Sequence, residues 1–209
     1  MLNRRNAHMV LAVAMMVAAA AIGFAISRLA LTSPPAGARA DALLACKEAM
    51  SGFQRFPLVY AGDEVLGHPL SGCQKSETAP LRDQSGTVAL PSAEQFNIAY
   101  GDCEIPPNAE SCPVPVTIVI DPPCGPTLPA SRVRERVLLR GVEVMVKVDG
   151  SARLELPSMS VSVFTFGNDY AERRANALAV FASLTGANDA ARQLAADAPL
   201  SLLQSPECG

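Results

Sequence analysis

Six cysteines and a single downstream histidine carry most of the reactive chemistry this chain could offer. Cys46, Cys73, Cys103, Cys112, Cys124 and Cys208 are separated by 26, 29, 8, 11 and 83 residues, so there is no C-x-x-C and no common zinc spacing. A thiol oxidoreductase would want a C-x-x-C of low pKa at a helix start. The six are therefore read as disulfide candidates, an even number all lying past an apolar N-terminal segment. His68 is the one histidine beyond that segment, and a Ser-His-Asp arrangement would have to use it. It stands between Gly67 and Pro69, and no G-x-S-x-G precedes a helix. A structural or surface histidine is the favoured reading, with a secreted hydrolase centred on His68 as the alternative. The carboxylate pairs Asp63/Glu64 and Asp102/Glu104 are short-range loop charges of the kind solvent faces, unlike the spaced acids of glycoside hydrolysis. Gly-rich phosphate loops, EF-hand spacing and H-E-x-x-H are absent. These residues point to no catalytic site, no cofactor and no metal.

Charge narrows the classes of partner. Arg4, Arg5, Arg28 and Arg39 are the only charged side chains before Asp41, which leaves thirteen cations against 20 carboxylates in the rest of the 209 residues. A body that acidic argues against nucleic acid, whose binding rests on clustered cations. The densest basic run, Arg132-Val133-Arg134-Glu135-Arg136, reads as a solvated face of a strand or short helix, with contact to anionic lipid headgroups as the sharper alternative. The absence of tryptophan works against an aromatic-lined carbohydrate groove.

From Met9 to Ile26 eighteen consecutive residues carry no charge, and the apolar run continues past Arg28 to Leu31. That is close to the roughly 20 residues that span hydrocarbon, and an arginine at the outer end can snorkel to the headgroups. An N-terminal transmembrane helix over Met9 to Leu31 is expected, with residues 1–31 as cytoplasmic stub and signal-anchor. Arg4 and Arg5 orient the N-terminus inward, so the rest of the chain faces out. Ala36-Gly37-Ala38 and Ala38-Arg39-Ala40 have the small-x-small form that signal peptidase accepts. Secretion after cleavage near Ala38 or Ala40 is thus the alternative to a single-pass anchor, and the length of the run favours the anchor. Leu43-Leu44-Ala45-Cys46 has the form of a lipobox but lies well downstream of the run, and lipidation is set aside.

The elements that must position these residues follow from periodicity. Residues 32–40 read as a linker, and Asp41 to Gln54 as a helix with Leu43, Leu44, Met50 and Phe53 as its apolar residues. Phe56 to Tyr60 and Glu64 to Leu70 look like a hairpin turning at Ala61-Gly62-Asp63. Gln74 to Leu90 is expected as a surface connection, and Phe96 to Tyr100 and Val114 to Ile120 as strands. Eight of the 17 prolines fall between Pro106 and Pro129, which predicts that the Val116 to Ile120 strand is short or lies at an edge. Pro123-Cys124-Gly125-Pro126 and Pro126-Thr127-Leu128-Pro129 have P-x-x-P spacing but read as a rigid loop rather than a ligand for a partner domain. Val142 to Val148 alternates most clearly, Asp149-Gly150 turns, and Leu154 to Leu156 and Met159 to Phe166 return as strands. Asp169 with Glu172 has the form of a capping box for a helix from Tyr170 to about Leu184, whose apolar face is Ala171, Ala175, Leu178, Phe181, Ala182 and Leu184. A shorter helix is expected from Asn188 or Asp189 through Ala196.

Phe56-Pro57-Leu58-Val59-Tyr60-Ala61-Gly62 and Tyr100-Gly101-Asp102-Cys103 followed by Ser111-Cys112-Pro113, together with Arg140-Gly141-Val142 and Leu154-Glu155-Leu156 running into Val161 to Phe166, resemble a group of exported actinobacterial proteins of uncharacterised function. The resemblance covers about half of residues 41–209 in short pieces and brings no activity with it. It implies that Cys103 pairs with Cys112 in a proline-containing loop, which the eight-residue spacing permits. The other four cysteines admit three pairings. Cys46 with Cys208, joining the two ends of the domain, and Cys73 with Cys124 are preferred.

The resulting expectation is an α+β domain over residues 41–209, mostly antiparallel sheet with one long C-terminal amphipathic helix packed on it, preceded by the transmembrane helix. Its expected role is that of a non-enzymatic, membrane-anchored domain that binds or positions another envelope component.

Overall fold

Strand after strand in this chain alternates an apolar with a polar side chain, and the structure stacks those alternations into one sheet. The computed structural model describes residues 36–78, 81–82, 88–90, 93–102, 114–123 and 128–203. In chain order they form α1 (Ala36–Ser51), β1 (Val59–Tyr60), β2 (Glu64–Val65), β3 (His68–Thr78), β4 (Leu81–Arg82), β5 (Val88–Leu90), β6 (Ala93–Tyr100) and β7 (Val116–Asp121). A 3-10 turn, Ala130–Arg132, leads into β8 (Val133–Leu139), β9 (Val142–Lys147), β10 (Ala152–Leu156) and β11 (Met159–Thr165). Then come α2 (Tyr170–Ser183), β12 (Thr185–Gly186) and two further 3-10 turns, Asp189–Ala191 and Leu200–Leu203. Eight strands pair antiparallel in the order β2-β3-β6-β7-β11-β10-β9-β8, while β1-β12 and β4-β5 are separate two-stranded ladders.

Register puts the apolar residues on one face. Phe96, Ile98 and Tyr100 lie opposite Ile120, Ile118 and Val116, which in turn lie beside Val161 and Val163 of β11. All are 0–1 % exposed, and burying each such side chain contributes about 1.5–3 kcal/mol. α1 reaches this face through Cys46, Met50 and the Phe53 that follows it, whose ring lies 5.3 Å from that of Phe96. Asp169 caps α2 by accepting from the Glu172 N–H, while Glu172 reaches past the cap to accept from the Asn168 N–H. The helix buries Ala177, Val180 and Phe181 against the sheet.

Several expectations are corrected. The expected α+β fold with one long C-terminal amphipathic helix is replaced by a mostly antiparallel eight-stranded sheet carrying, among the described residues, two short helices of 16 and 14 residues. α2 ends at Ser183 because the chain turns extended at Leu184 and pairs as β12 with β1, and the segment expected as a second helix from Asn188 is a single 3-10 turn. Gly186 permits that closure, since a Cβ there would stand 1.9 Å from the Ala191 carbonyl oxygen. Ala171, Ala175 and Ala182 are exposed, so the buried face of α2 is rotated from the expected one; alanines say little about which side is inward. The expected transmembrane helix, Met9 to Leu31, lies outside the described residues. Among the described residues no helix is long and apolar enough to cross a membrane.

Nearer the N-terminus, α1 begins within the expected linker, and Leu44 points outward while Cys46 takes its place inside. The hairpin turns at Leu66-Gly67, joining Val65 to His68, and not at Gly62; β1 instead pairs with β12. β3 runs on to Thr78 through the expected surface connection. β7 is central rather than at an edge, because Pro115 and Pro122 flank the ladder without entering it.

Candidate functional site

The face of the sheet turned away from the two helices carries a row of polar side chains across five strands. On β3 and β6, Asn97 Nδ2 donates to Ser76 Oγ at 2.9 Å, and Gln95 Nε2 donates to Asp121 Oδ1 on β7 at 2.7 Å. Arg153 on β10 continues the row. Its guanidinium donates to Asp121 Oδ2 at 3.0 Å, to Ser162 Oγ at 2.9 Å and to Ser160 Oγ at 2.7 Å. Arg153 Nε and the Leu128 N–H both donate to Glu155 Oε1, at 3.1 and 2.9 Å. The Arg153 and Asp121 side chains are only 12 % and 18 % exposed, so losing either partner would strand a largely desolvated charge. Ser160 donates to Asp121 but accepts from Arg153, and a cation on a serine oxygen works against its use as a nucleophile. Among the described residues, no buried side-chain nitrogen or oxygen lacks a partner.

Beside this row the sheet opens into a cavity of about 400 Å³, lined by Leu128, Arg136, Glu143, Met145, Glu155 and Leu156 among others. The opening has a simple cause. β9 and β10 are in register only from Val146↔Ala152 to Val144↔Leu154, whereas β8-β9 runs on to Leu139↔Val142 and β10-β11 to Leu156↔Met159. The two hairpins therefore part towards their tips. Arg136 on β8 pairs with Glu143 on β9 at one rim, and Glu155 stands at the other.

On the helix side, β8 meets α2 through a small charged cluster. Glu135 accepts from Arg174 and, at 2.9 Å, from the Tyr170 hydroxyl, while the Arg134 guanidinium lies 3.9 Å from the Tyr170 ring centroid. The Arg174 and Tyr170 donors hold the Glu135 carboxyl below the usual range. On the opposite, outward face, Lys147 Nζ lies 4.4 Å from the Phe164 ring centroid, and burial lowers its pKa. Of the basic run of residues 132–136, Arg132 ends a 3-10 turn and residues 133–136 lie on β8, the last strand of the sheet, with Arg134 and Arg136 each engaged within the fold.

The sequence candidates fall in separate places. Cys46 and Cys73 form a disulfide with Cα atoms 5.1 Å apart, tying α1 to β3. This corrects the preferred pairings of Cys46 with Cys208 and Cys73 with Cys124. The join between the ends of the domain is made instead by the β1-β12 ladder and by Asn188, which accepts from Leu58 N–H at 3.0 Å and donates to the Phe53 and Phe56 carbonyls at 2.8 and 2.9 Å. A disulfide-bonded Cys46 has no thiol left for a lipid thioether. Cys103, Cys112, Cys124, Cys208, Glu104 and most of the P-x-x-P segments lie outside the described residues. His68 opens β3, half-buried, with Nδ1 against the crowded Gly101 and Pro115 corner. Of the two carboxylate pairs singled out, Asp102 is engaged with Arg39 and Asp63 with Lys47. Among the described residues, no three His, Cys, Asp or Glu side chains are grouped to hold a metal.

Asp121, Arg153, Ser160 and Ser162 were not legible as a group, although the serines alternating with Met159, Val161 and Val163 mark a strand with one polar face. The chain matches no protein-family model, no curated protein and no solved structure.

Proposed function

We propose that this chain works outside the cytoplasm as a non-enzymatic binding or structural domain of the cell envelope, held at the membrane by its apolar Met9 to Leu31 segment. The observation that carries this reading is the Cys46–Cys73 disulfide, which fastens the first helix to the sheet across 27 residues of chain. Such a bond persists in oxidising compartments and is rare where thiols are kept reduced. The resemblance of the Phe56 to Gly62 and Tyr100 to Cys103 segments to exported actinobacterial proteins supports the same location. The outward sheet face supports the binding role, because its polar groups are spent on holding one another in fixed positions around an open cavity rather than on activating a nucleophile.

Membrane fractionation of the full chain, followed by alkylation and non-reducing peptide mapping, tests the proposal. The expected result is a membrane-associated chain with Cys46 and Cys73 linked. A soluble extracellular chain beginning near Arg39 or Asp41 would replace the anchor by secretion. Reduced Cys46 and Cys73 on a cytoplasmic chain would overturn the reading.

A further inference from the structure

Exposed apolar side chains gather along one end of the eight-stranded sheet. Thr165 lies opposite Val116 and Val116 opposite Tyr100, and Val163, Ala152 and Val146 continue that row towards β8. Just past the row stand Leu66, Val148 and Phe166, 39 %, 58 % and 56 % exposed, with Phe164, 41 % exposed, on the outward face beside them. Contacts join these positions into one rim. The Phe166 N–H donates to the Pro115 carbonyl at 3.0 Å, Pro115 crowds Gly101 together with His68, and His68 closes the hairpin that carries Leu66. The other described phenylalanines are all in the core. One exposed apolar side chain is ordinary, whereas four together mark a surface that meets something.

Where the chain enters this rim decides what covers it. Arg39, near the start of α1, pairs with Asp102 directly after Gly101. From there α1 runs past Cys46, bonded to the Cys73 that lies opposite Ile98, and on to Phe53 beside Phe96. The helix thus starts at the rim and leads away from it. Four residues, Thr32 to Pro35, separate Leu31, the last of the apolar run, from Ala36, the first of α1. The five Cα steps between them span at most about 18 Å. A domain tethered by that run is therefore held rim first against the bilayer. Two cations suit the same surface. Lys147 packs over Phe164, and the exposed Arg132, whose carbonyl accepts from the Val148 N–H at 3.1 Å, pairs with no carboxylate among the described residues. Asp169 and Glu172, which follow the phenylalanines in the chain, are taken up in capping α2, and Asp149 accepts from Ser151.

We propose that this rim is a lipid-docking surface, with Leu66, Val148, Phe164 and Phe166 entering the headgroup region of the outer leaflet and Arg132 and Lys147 meeting lipid phosphates. The docking rests on the anchor reading and adds an orientation to it. The opposite end of the sheet points away from the membrane. There the Leu200–Leu203 turn spans both hairpin tips, the Leu200 N–H donating to the Arg140 carbonyl at 3.0 Å and the Ser158 hydroxyl to the Leu203 carbonyl. The chain has no tryptophan, so a single introduced one is an unambiguous reporter. The full chain carrying Phe166→Trp, reconstituted in vesicles of phosphatidylcholine and phosphatidylglycerol, should emit at shorter wavelength than in detergent-free buffer standards of exposed tryptophan. It should also lose most of its emission when lipid brominated near the top of the acyl chain is included. Leu202→Trp, at a position 43 % exposed on the opposite end, should do neither. With Val148→Trp as reporter, Phe164→Ser and Phe166→Ser together should abolish the quenching. Arg132→Gln should lower the docking equilibrium about fivefold, the scale of one cation at an anionic surface. An intact Cys46–Cys73 link on non-reduced peptides certifies the fold of each variant. Phe166→Trp that escapes quenching, or is quenched no more than Leu202→Trp, overturns the docking, as does a Val148→Trp signal indifferent to the serine and Arg132 substitutions. In all of these outcomes the chain stays with the vesicles through a carbonate wash. A chain washed off them overturns the anchor reading itself, and the docking with it.

Discussion

Phe96, Ile98, Ile118, Ile120 and Val161 cover one face of the central strands, and Gln95, Asn97, Asp121, Ser160 and Ser162 cover the other, often from the next residue along. The inward face is non-directional: each side chain is stabilised by leaving water, and its neighbours need only fill space. The outward face is directional, since Gln95 and Arg153 there donate to named acceptors at fixed distances. The contrast teaches where change is tolerated. Deleting volume on the inward face should cost stability at any position, whereas on the outward face the cost should depend on which partner is left alone.

The strongest way to break this contrast is Phe96→Ala. The ring is 0 % exposed and edge-on to Phe53, so its loss should cost about 3–5 kcal/mol in urea unfolding. Next comes the disulfide that clamps α1 onto the same face. Cys46→Ser should lower stability by about 3 kcal/mol, the scale expected for closing a loop of this length, and a reductant should destabilise the parent chain more than the variant. On the outward face, Arg153→Met and Asp121→Asn should each destabilise, and the double variant should recover part of the sum. A double-mutant cycle should return a coupling of about 1–3 kcal/mol, whereas zero coupling would mean the row is decoration.

The smallest effect belongs to pH. Arg174 and Tyr170 lower the folded pKa of Glu135, so the unfolded chain takes up that proton first as the medium is acidified. The contribution of Glu135 is complete above the ordinary glutamate pKa of about 4.3 and disappears as pH falls through the lower folded value. Unfolding curves of the parent chain and Glu135→Gln should therefore differ at about pH 6 and converge as acidification passes the lowered folded value. Curves that stay apart in acid would place the effect in packing instead.

Much of the inward face could be read from the chain. The alternation expected over Val142 to Val148, which forms β9 as far as Lys147, the Asp149-Gly150 turn and the Asp169 cap each occupy the place their local chemistry dictates. These are signals between near neighbours, where periodicity and capping geometry are complete in themselves. The outward site was much less legible. Arg153 meets Asp121 across 32 residues, and Glu155 meets Leu128 across 27, so neither contact has a sequence signature.

What the sequence determined by itself is the alternation of the central strands, such as Phe96 to Tyr100, Val116 to Ile120 and Met159 to Thr165, the Asp169 cap of α2 and the even set of cysteines past an apolar segment. Each follows from local periodicity or from covalent chemistry that does not depend on the rest of the fold. What only the tertiary structure decided is which strands adjoin, that Cys46 meets Cys73, and that the β8-β9 and β10-β11 hairpins part around a cavity. Those outcomes depend on how the C-terminal turn packs under two hairpins and on one register ending three pairs in. They are settled by competition among distant surfaces for the same space, which no stretch of sequence carries alone.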